Sequence, residues 1–146
     1  MTIEIAKSKK SELLTLAKIY VEEFSKKPYN EKWTLKKALY KMNFFIQFYD
    51  LYSIKYDKEV VGFICVNPNF MCPGEVAFGE EMAIQKKFQN KGIGAQVFRN
   101  IFEIYKKRGF KRFVGIAKTH GRAIKLYERL NLKPSKEDVL VERRLN

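Results

Sequence analysis

The chain has 146 residues, 46% of them hydrophobic, enough for one domain over residues 1–146 with an ordinary core. No apolar run approaches the roughly 20 residues that cross a bilayer, and no signal-peptide pattern opens the chain, so we expect a cytoplasmic protein without a membrane partner. The net charge of +13 favours an anionic partner, while two cysteines and one histidine supply neither a disulfide framework nor a two-histidine metal site, so we expect no metal.

The first part of the chain predicts a strand, two helices and a hairpin. Apolar and polar residues alternate over Ile3–Lys7, as in a half-buried strand. Apolar residues then recur at helical spacing over 11–24, and Thr34 is a suitable N-cap for a second helix. Two further strands form the hairpin: 51–56 and 60–66, joined at Asp57-Lys58.

The second part predicts a strand, a glycine-containing loop and two more helices. Val76–Ile84 reads as a strand, and the helix that follows the loop ends before Gly109, a suitable C′ residue. The remaining elements are a strand at 112–117, a helix at 122–130 and a last strand at 139–143.

The order β-α-α-β-β-β-α-β-α-β predicts an α+β fold. We expect a single mixed, mostly antiparallel sheet flanked by about four helices. The strand-loop-helix-strand unit over 76–117 should add a parallel, right-handed crossover.

The loop over 89–94 has the features of an anion site. The first turn of a helix leaves backbone N–H groups unpaired, and Gly92 and Gly94 would let an anion approach them. A Walker loop is absent, and the dinucleotide pattern fails because Val97 occupies the place of its third glycine. A simple turn, with no ligand, remains the alternative at this point.

The positive charge is concentrated near this loop. Residues 1–81 contain 12 lysines and arginines against 11 acids, whereas residues 82–146 contain 17 against 5. This asymmetry favours a phosphorylated cofactor or a nucleic acid bound by the second part of the chain, and a lysine-rich solvated surface is the alternative.

The segment 82–94 resembles the acetyl-CoA motif of the GNAT family of N-acetyltransferases. In that family a strand leads through a short loop into the pattern Gln/Arg-x-x-Gly-x-Gly/Ala. Gln89, Gly92 and Gly94 match this pattern.

A second motif supports the resemblance. The segment 120–132 is similar to the family's Asn-x-x-Ala-x-x-x-Tyr helix, because Ala123 and Tyr127 match. His120 stands in the place of the asparagine, and Asn131 replaces the glycine that ends the helix. The family's fold has the same order of elements as the order predicted above.

The resemblance implies a set of cofactor contacts. The strand through Met82, Ala83 and Ile84 would pair its backbone with the pantetheine arm of acetyl-CoA. His120 would contact the same arm, and service as a base is the alternative role for it. Backbone amides of the loop would hold the pyrophosphate: Gln89, Asn90, Lys91, Gly92, Ile93, Gly94 and Ala95.

The resemblance also implies catalytic roles. The hydroxyl of Tyr127 would act as general acid at the thioester sulfur. Either Glu80 or Glu81 could be the base, and strand alternation would aim them at opposite faces, so that only one reaches the cleft. Glu81 is the preferred base, and Glu80 is assigned to the acceptor site together with Tyr29 and Trp33.

The function implied is transfer of an acetyl group from acetyl-CoA to a primary amine by direct attack. Small amines such as polyamines or aminoglycosides, and protein N-termini or lysines, remain open as acceptors. The alternatives are an acyl-CoA-binding sensor without catalysis and a basic nucleic-acid-binding domain. The family often dimerises, so a homodimer is also expected.

Overall fold

The computed structural model describes residues 2–146, which form five strands and four helices. The strands are β1 (Ile3–Lys7), β2 (Asp50–Tyr56), β3 (Glu59–Asn67), β4 (Val76–Ile84) and β5 (Arg112–Gly115). The helices are α1 (Leu13–Phe24), α2 (Leu35–Phe48), α3 (Ile93–Lys107) and α4 (Arg122–Arg129). The predicted α+β class is confirmed. Within this part of the chain, no helix is both long and apolar enough to span a membrane.

The five strands lie in one sheet in the order in which they occur in the chain. The pairs β1–β2, β2–β3 and β3–β4 are antiparallel. The pair β4–β5 is parallel, because the connection through α3 returns the chain to the end of the sheet at which β4 begins. The predicted mixed, mostly antiparallel sheet with one crossover is therefore confirmed.

Helices cover both faces of the sheet. On one face α1 and α2 bury residues such as Leu16 and Met42 against Phe63 of β3. On the other face α3 buries residues such as Val97 against Ile64, the next residue of β3. Successive strand residues point to opposite faces, so both sides of β3 are buried, and this accounts for its continuous apolar sequence.

Several local expectations are confirmed. The hydroxyl of Thr34 accepts a hydrogen bond from the backbone N–H of Lys37 at 3.2 Å, which makes it the N-cap of α2. Asp57 and Lys58 have φ values of 47° and 71°, the left-handed pair that a tight hairpin turn requires. Gly109 follows α3 with φ 89°, as a C′ glycine does.

The predicted last strand at 139–143 is wrong. Residues 131–146 contain no helix or strand, and the side chains of Val139 and Val141 are 85% and 83% exposed. Alternation of apolar residues indicates only that one face of a segment could be buried. A strand also needs a neighbouring strand with which its backbone N–H and C=O groups can pair. The preceding strand is shorter than predicted for a related reason: β5 stops pairing with β4 at Gly115.

Asp50 connects three elements at the C-terminal end of α3. Its carboxylate accepts hydrogen bonds from Lys7 Nζ and the Tyr105 hydroxyl, both at 2.6 Å, and from Arg108 Nη1 at 2.8 Å. Burial disfavours the ionised carboxyl, but these donors outweigh it and hold the pKa of Asp50 below its ordinary value. The cluster thereby ties β1, β2 and α3 together.

We expect Asp50→Asn to lower the free energy of unfolding by about 1–3 kcal/mol at pH 7, since it removes charge-assisted hydrogen bonds. The pKa of Asp50 is lower in the folded than in the unfolded chain, so its contribution is present above the unfolded value of about 3.9 and is lost as the pH falls through the folded value. Urea denaturation at several pH values measures the difference between the two proteins.

The matched control is Glu4→Gln, which changes an exposed carboxylate on β1 and should leave the free energy of unfolding nearly unchanged. A difference for Asp50→Asn that does not shrink in acid would contradict this role for the carboxylate.

Candidate active site

β4 is paired along both edges over only half of its length. β5 follows it as far as the pair Gly79–Gly115 and then ends, whereas β3 continues to the pair formed by Ile84 and Gly62. Within the described chain, residues 80–84 have no strand along the edge that β5 leaves. Apart from the oxygen of Ile84, which accepts a hydrogen bond from the side chain of Gln89, the backbone donors and acceptors of that edge are therefore open to an extended ligand.

A bulge lies where the two strands separate. Cys65 of β3 pairs with Glu81 and the next residue of β3 pairs with Gly79, so Glu80 is the extra residue. Burial raises the pKa of the Cys65 thiol, and the charges of both glutamates raise it further. The positive charge of the Lys41 ammonium opposes the effect of burial and lowers the pKa of both glutamate carboxyls. The expectation that the two glutamates face opposite sides is therefore wrong, because the bulge interrupts the alternation on which it depends.

The side chain of Glu81 is 20% exposed, and its carboxylate is only half satisfied. Its Oε1 accepts hydrogen bonds from the Tyr20 hydroxyl at 2.7 Å and from Lys41 Nζ at 3.3 Å. Its Oε2 is buried and meets no donor within residues 2–146. Burial raises the pKa of Glu81 above its ordinary value, although Tyr20 and Lys41 oppose this effect. One oxygen of a strengthened base is thus free to take a proton.

Aromatic side chains surround this carboxylate. The ring of Trp33 meets Tyr20 edge-on with 4.5 Å between centroids, and the ring of Tyr29 meets Phe24 edge-on at 4.7 Å. Phe24 lies against Tyr20 in turn, at 4.5 Å. Burial raises the pKa of Tyr29, and Glu81 is one of the carboxylates that add to it. The structure thus brings Tyr29 and Trp33 together with Glu81 around Tyr20.

Gln89 fastens the glycine loop to three elements. Its amide nitrogen donates to the backbone oxygen of Ile84 at 2.7 Å and to Glu23 Oε2 of α1 at 3.0 Å. Its amide oxygen accepts a hydrogen bond from Arg122, the first residue of α4. The loop is therefore held by the end of β4, the last turn of α1 and the first residue of α4.

The start of α3 presents a row of free backbone amides. The N–H of Gln96 donates to the oxygen of Gly92 at 3.2 Å, which is the first bond of the helix. The N–H groups of residues 91–95 have no backbone acceptor in the described chain. Lys91 and Asn90 are exposed beside them, whereas Ile93 is buried in the core. The arrangement is that of an anion-binding helix N-terminus.

The two glycines have different physical roles. Gly92 has φ 79°, a left-handed conformation that glycine adopts without strain, and a Cβ there would meet nothing within 4 Å. A Cβ at Gly94 would instead come within 3.2 Å of Leu126 Cδ2 on α4, so a larger residue there would require the leucine side chain to shift. Gly92 therefore shapes the open side of the loop, and Gly94 allows α3 and α4 to approach each other.

Tyr127 lies on α4, facing α3. Its ring meets Phe98 edge-on at 5.4 Å. Burial, with a smaller contribution from Tyr29, raises the pKa of Tyr127 to about 12. The phenol therefore keeps its proton at neutral pH. His120, by contrast, is exposed in the turn that precedes α4 and is not gathered with these groups.

The electrostatic pattern separates the site into two parts. Lys86, Lys87 and Lys91 are exposed around the glycine loop and make its surroundings basic. The carboxylates of Glu80 and Glu81 lie further along β4, where the two strands diverge. Residues 2–146 contain no group of three histidine, cysteine, aspartate or glutamate side chains that could hold a metal ion.

Two residues of the site, Tyr20 and Lys41, could not be identified from the sequence. Tyr20 occupies a core-facing position of α1, and nothing in its spacing marks the hydroxyl that reaches Glu81. Lys41 carries a clearer signal, because it lies beside Met42 and one turn before Phe45, both buried. A lysine at the margin of the apolar face of a helix needs a partner, and that partner is Glu81.

Comparisons with known proteins bear on the family and the fold of the chain. The sequence model of the Acetyltransferase (GNAT) family matches residues 13–132. No curated protein matches the sequence. The fold is similar to that of a possible acetyltransferase from Clostridium difficile 630, with 16% identity, full coverage of both chains and a TM-score of 0.81.

Two further structures have the same fold. An aminoglycoside N-acetyltransferase in complex with CoA is 13% identical, with 98% of this chain and 95% of that chain covered and a TM-score of 0.75. A ribosomal-protein-alanine N-acetyltransferase from Brucella melitensis biovar Abortus 2308 is 14% identical, with 98% and 100% covered and a TM-score of 0.74. The family model covers most of the chain, and the chain belongs to the GNAT acetyltransferase family.

Proposed function

We propose that the protein transfers an acetyl group from acetyl-CoA to a primary amine. One observation carries this proposal: the open edge of β4 over residues 80–84 leads directly to the free amides at the start of α3. An extended chain with amide groups and a terminal pyrophosphate is the ligand that matches both ends. The aminoglycoside acetyltransferase of the same fold is a complex with CoA, which supports this choice.

The residues present fit that donor. Met82, Ala83 and Ile84 offer the unpaired strand edge for the pantetheine amides. The loop from Gln89 to Ala95 offers the amides, the left-handed glycine and the basic surroundings that a pyrophosphate requires. His120 is proposed to contact the pantetheine arm from the turn before α4.

The acceptor amine must be neutral to attack a thioester. An alkylammonium with pKa of about 10.4 is deprotonated only about once in 2500 molecules at pH 7, a cost of about 4.6 kcal/mol. We assign the removal of this proton, directly or through water, to the carboxylate of Glu81, whose pKa is raised and whose Oε2 has no hydrogen-bond donor among the described residues. Glu80 stands beside it in the bulge and contributes negative charge that attracts a cationic acceptor.

The leaving group is a thiolate, and it needs a hydrogen-bond donor. Tyr127 is proposed for this role because its phenol remains protonated, with a pKa raised to about 12. Burial is the main cause of this raised pKa, and Tyr29 adds a smaller contribution. Tyr29 and Trp33 would line the acceptor pocket around Glu81.

Binding of the donor can be tested with a pair of glycine variants at opposite ends of α3. Gly92→Ala and Gly109→Ala each place a side chain at a left-handed φ with open space around it, so both should lose about 1–2 kcal/mol of stability. Only Gly92→Ala should also weaken the thermal stabilisation by acetyl-CoA, because only Gly92 shapes the proposed pyrophosphate loop. Saturating acetyl-CoA should stabilise the parent protein by about 2–3 kcal/mol at 100 times Kd.

Absence of stabilisation by millimolar acetyl-CoA in the parent protein would exclude the donor. Stabilisation by an oligonucleotide instead would favour a nucleic-acid-binding domain. Equal losses of acetyl-CoA binding in both glycine variants would show a general effect of destabilisation, not a ligand contact.

The chemistry can be tested at Tyr127. We expect Tyr127→Phe to lower kcat about 100-fold, with little change in KM for acetyl-CoA, since the ring is retained and only the donor is lost. An acceptor screen that follows release of the CoA thiol measures both constants. A protein that binds acetyl-CoA but releases no thiol with any amine would be a sensor, and full kcat in the variant would remove Tyr127 from the mechanism.

A pH profile tests Glu81. Its pKa is raised, so kcat/KM should fall with decreasing pH at a midpoint above the ordinary carboxyl value of 4.5. Glu81→Gln should remove that limb and lower the rate by about 100-fold or more. Glu80→Gln should keep the acid limb and its midpoint while raising KM for a cationic acceptor, whereas an unchanged midpoint in Glu81→Gln would transfer the role of base to another group.

A further inference from the structure

Lys41 is held at the proposed catalytic base by an unusual set of contacts. Its Nζ lies 3.3 Å from Glu81 Oε1 and 3.1 Å from the Tyr20 hydroxyl. The same ammonium lies over three aromatic rings, at 5.5 Å from the centroid of Tyr20, 5.3 Å from that of Trp33 and 5.5 Å from that of Phe45. Rings at this distance attract a cation, and a carboxylate fixes its direction.

These contacts are the ones that an acceptor ammonium requires. A primary amine at the end of a flexible alkyl chain is placed next to the group assigned to remove its proton. The strand that carries Glu81 is also the strand whose open edge, residues 80–84, is proposed to hold the donor. Lys41 therefore occupies, from within the protein, the position of a substrate.

We propose that Lys41 is a site of self-acetylation, at which the protein acetylates its own Nζ from acetyl-CoA in the same active site. This inference rests on the proposed function, because it uses the same donor. The modification is specific to this one lysine, and the exposed lysines of the surface are not expected to react in the same way.

The reaction balances without a further reagent. One proton of the Nζ ammonium passes to the carboxylate of Glu81, and the nitrogen lone pair forms a C–N bond with the thioester carbon. The C–S bond breaks, and the leaving CoA thiolate takes up the second proton, which the nitrogen loses as it becomes an amide. The products are an acetamide at Lys41 and free CoA.

Geometry favours Lys41 over the other lysines. An amine held in the site reacts with an effective concentration far above that of an amine on another molecule. Lys37, one turn earlier in α2, has the same chemistry and is exposed, whereas the side chain of Lys41 is 33% exposed and paired with Glu81. Simple chemical acetylation by the thioester would prefer the more accessible amine, so the two mechanisms predict opposite orders of reactivity.

Acetylation would change the site that performs it. The acetamide is neutral, so Glu81 would lose the cation that faces its Oε1, and the rings of Trp33 and Phe45 would lose the charge that lies over them. The modified protein would then differ from the unmodified one in its affinity for a cationic acceptor.

The test is a time course of the full-length protein with acetyl-CoA, followed by peptide mass spectrometry of α2. We expect an added acetyl group on Lys41 at an initial rate at least about tenfold above that on Lys37, given the usual contribution of a positioned base. The rate constant should not depend on protein concentration, because the reaction occurs within one molecule. Lys37 serves as the internal control in every sample.

Two variants separate the mechanism from misfolding. Glu81→Gln should lower acetylation of Lys41 to the level of Lys37, and its circular dichroism and its binding of CoA report whether it is folded. Lys41→Arg keeps the positive charge but offers no acetylatable amine, so its α2 peptide should carry no acetyl group at that position.

The outcomes distinguish this inference from the proposed function. Binding of CoA together with fast, Glu81-dependent acetylation of Lys41 supports both. Binding of CoA with Lys41 acetylated no faster than Lys37 overturns self-acetylation and leaves the proposed function intact. Failure to bind CoA at all, measured by calorimetry, overturns both.

Discussion

The arrangement of this protein depends on unequal hydrogen bonding along the two edges of β4. β3 satisfies one edge as far as Ile84, but β5 leaves the other edge after Gly79. Gly79 allows β5 to approach as far as this point, because a Cβ there would lie 2.8 Å from the ring of Phe113. Beyond that point the backbone of β4 has unsatisfied groups, and an exposed strand edge of this kind needs a partner.

The point at which β5 separates from β4 also determines where the charged groups lie. The bulge at Glu80 lies at the point of separation and brings a second carboxylate to the face on which α1 and α2 pack. Burying Glu81 costs free energy, and its pairing with Lys41 and Tyr20 offsets only part of that cost. A partly buried pair with an unsatisfied oxygen is a poor means of stabilising a fold, and such arrangements are concentrated at functional sites.

Features set by neighbouring residues could be predicted from the sequence. The N-cap Thr34, the hairpin at Asp57-Lys58 and the helix end at Gly109 each follow from one or two side chains and their allowed backbone angles. The crossover from β4 to β5 could also be predicted, because a strand, a loop and an amphipathic helix occur in succession. These signals are local, and local signals are present in the sequence itself.

Features that require a distant partner could not be predicted in this way. The segment 139–143 has the alternation of a strand but no edge with which to pair, and the length of β5 is limited by where β4 diverges from it. The bulge adds one residue to β4 relative to β3, a mismatch that only the pairing of the two strands defines. The positions of Tyr20 and Lys41 at Glu81 likewise depend on how α1 and α2 pack on the sheet, whereas the roles of Tyr127 and His120 stay predictions.

The aromatic surroundings of Glu81 give the protein an optical property. Trp33 is its sole tryptophan, and the indole lies against Tyr20 and within 5.3 Å of the Lys41 ammonium. All tryptophan fluorescence therefore originates beside Tyr20 and Lys41, and the emission wavelength and intensity respond to charge and water there. Changes in charge or hydration near Glu81 can therefore be followed by tryptophan fluorescence without an attached label.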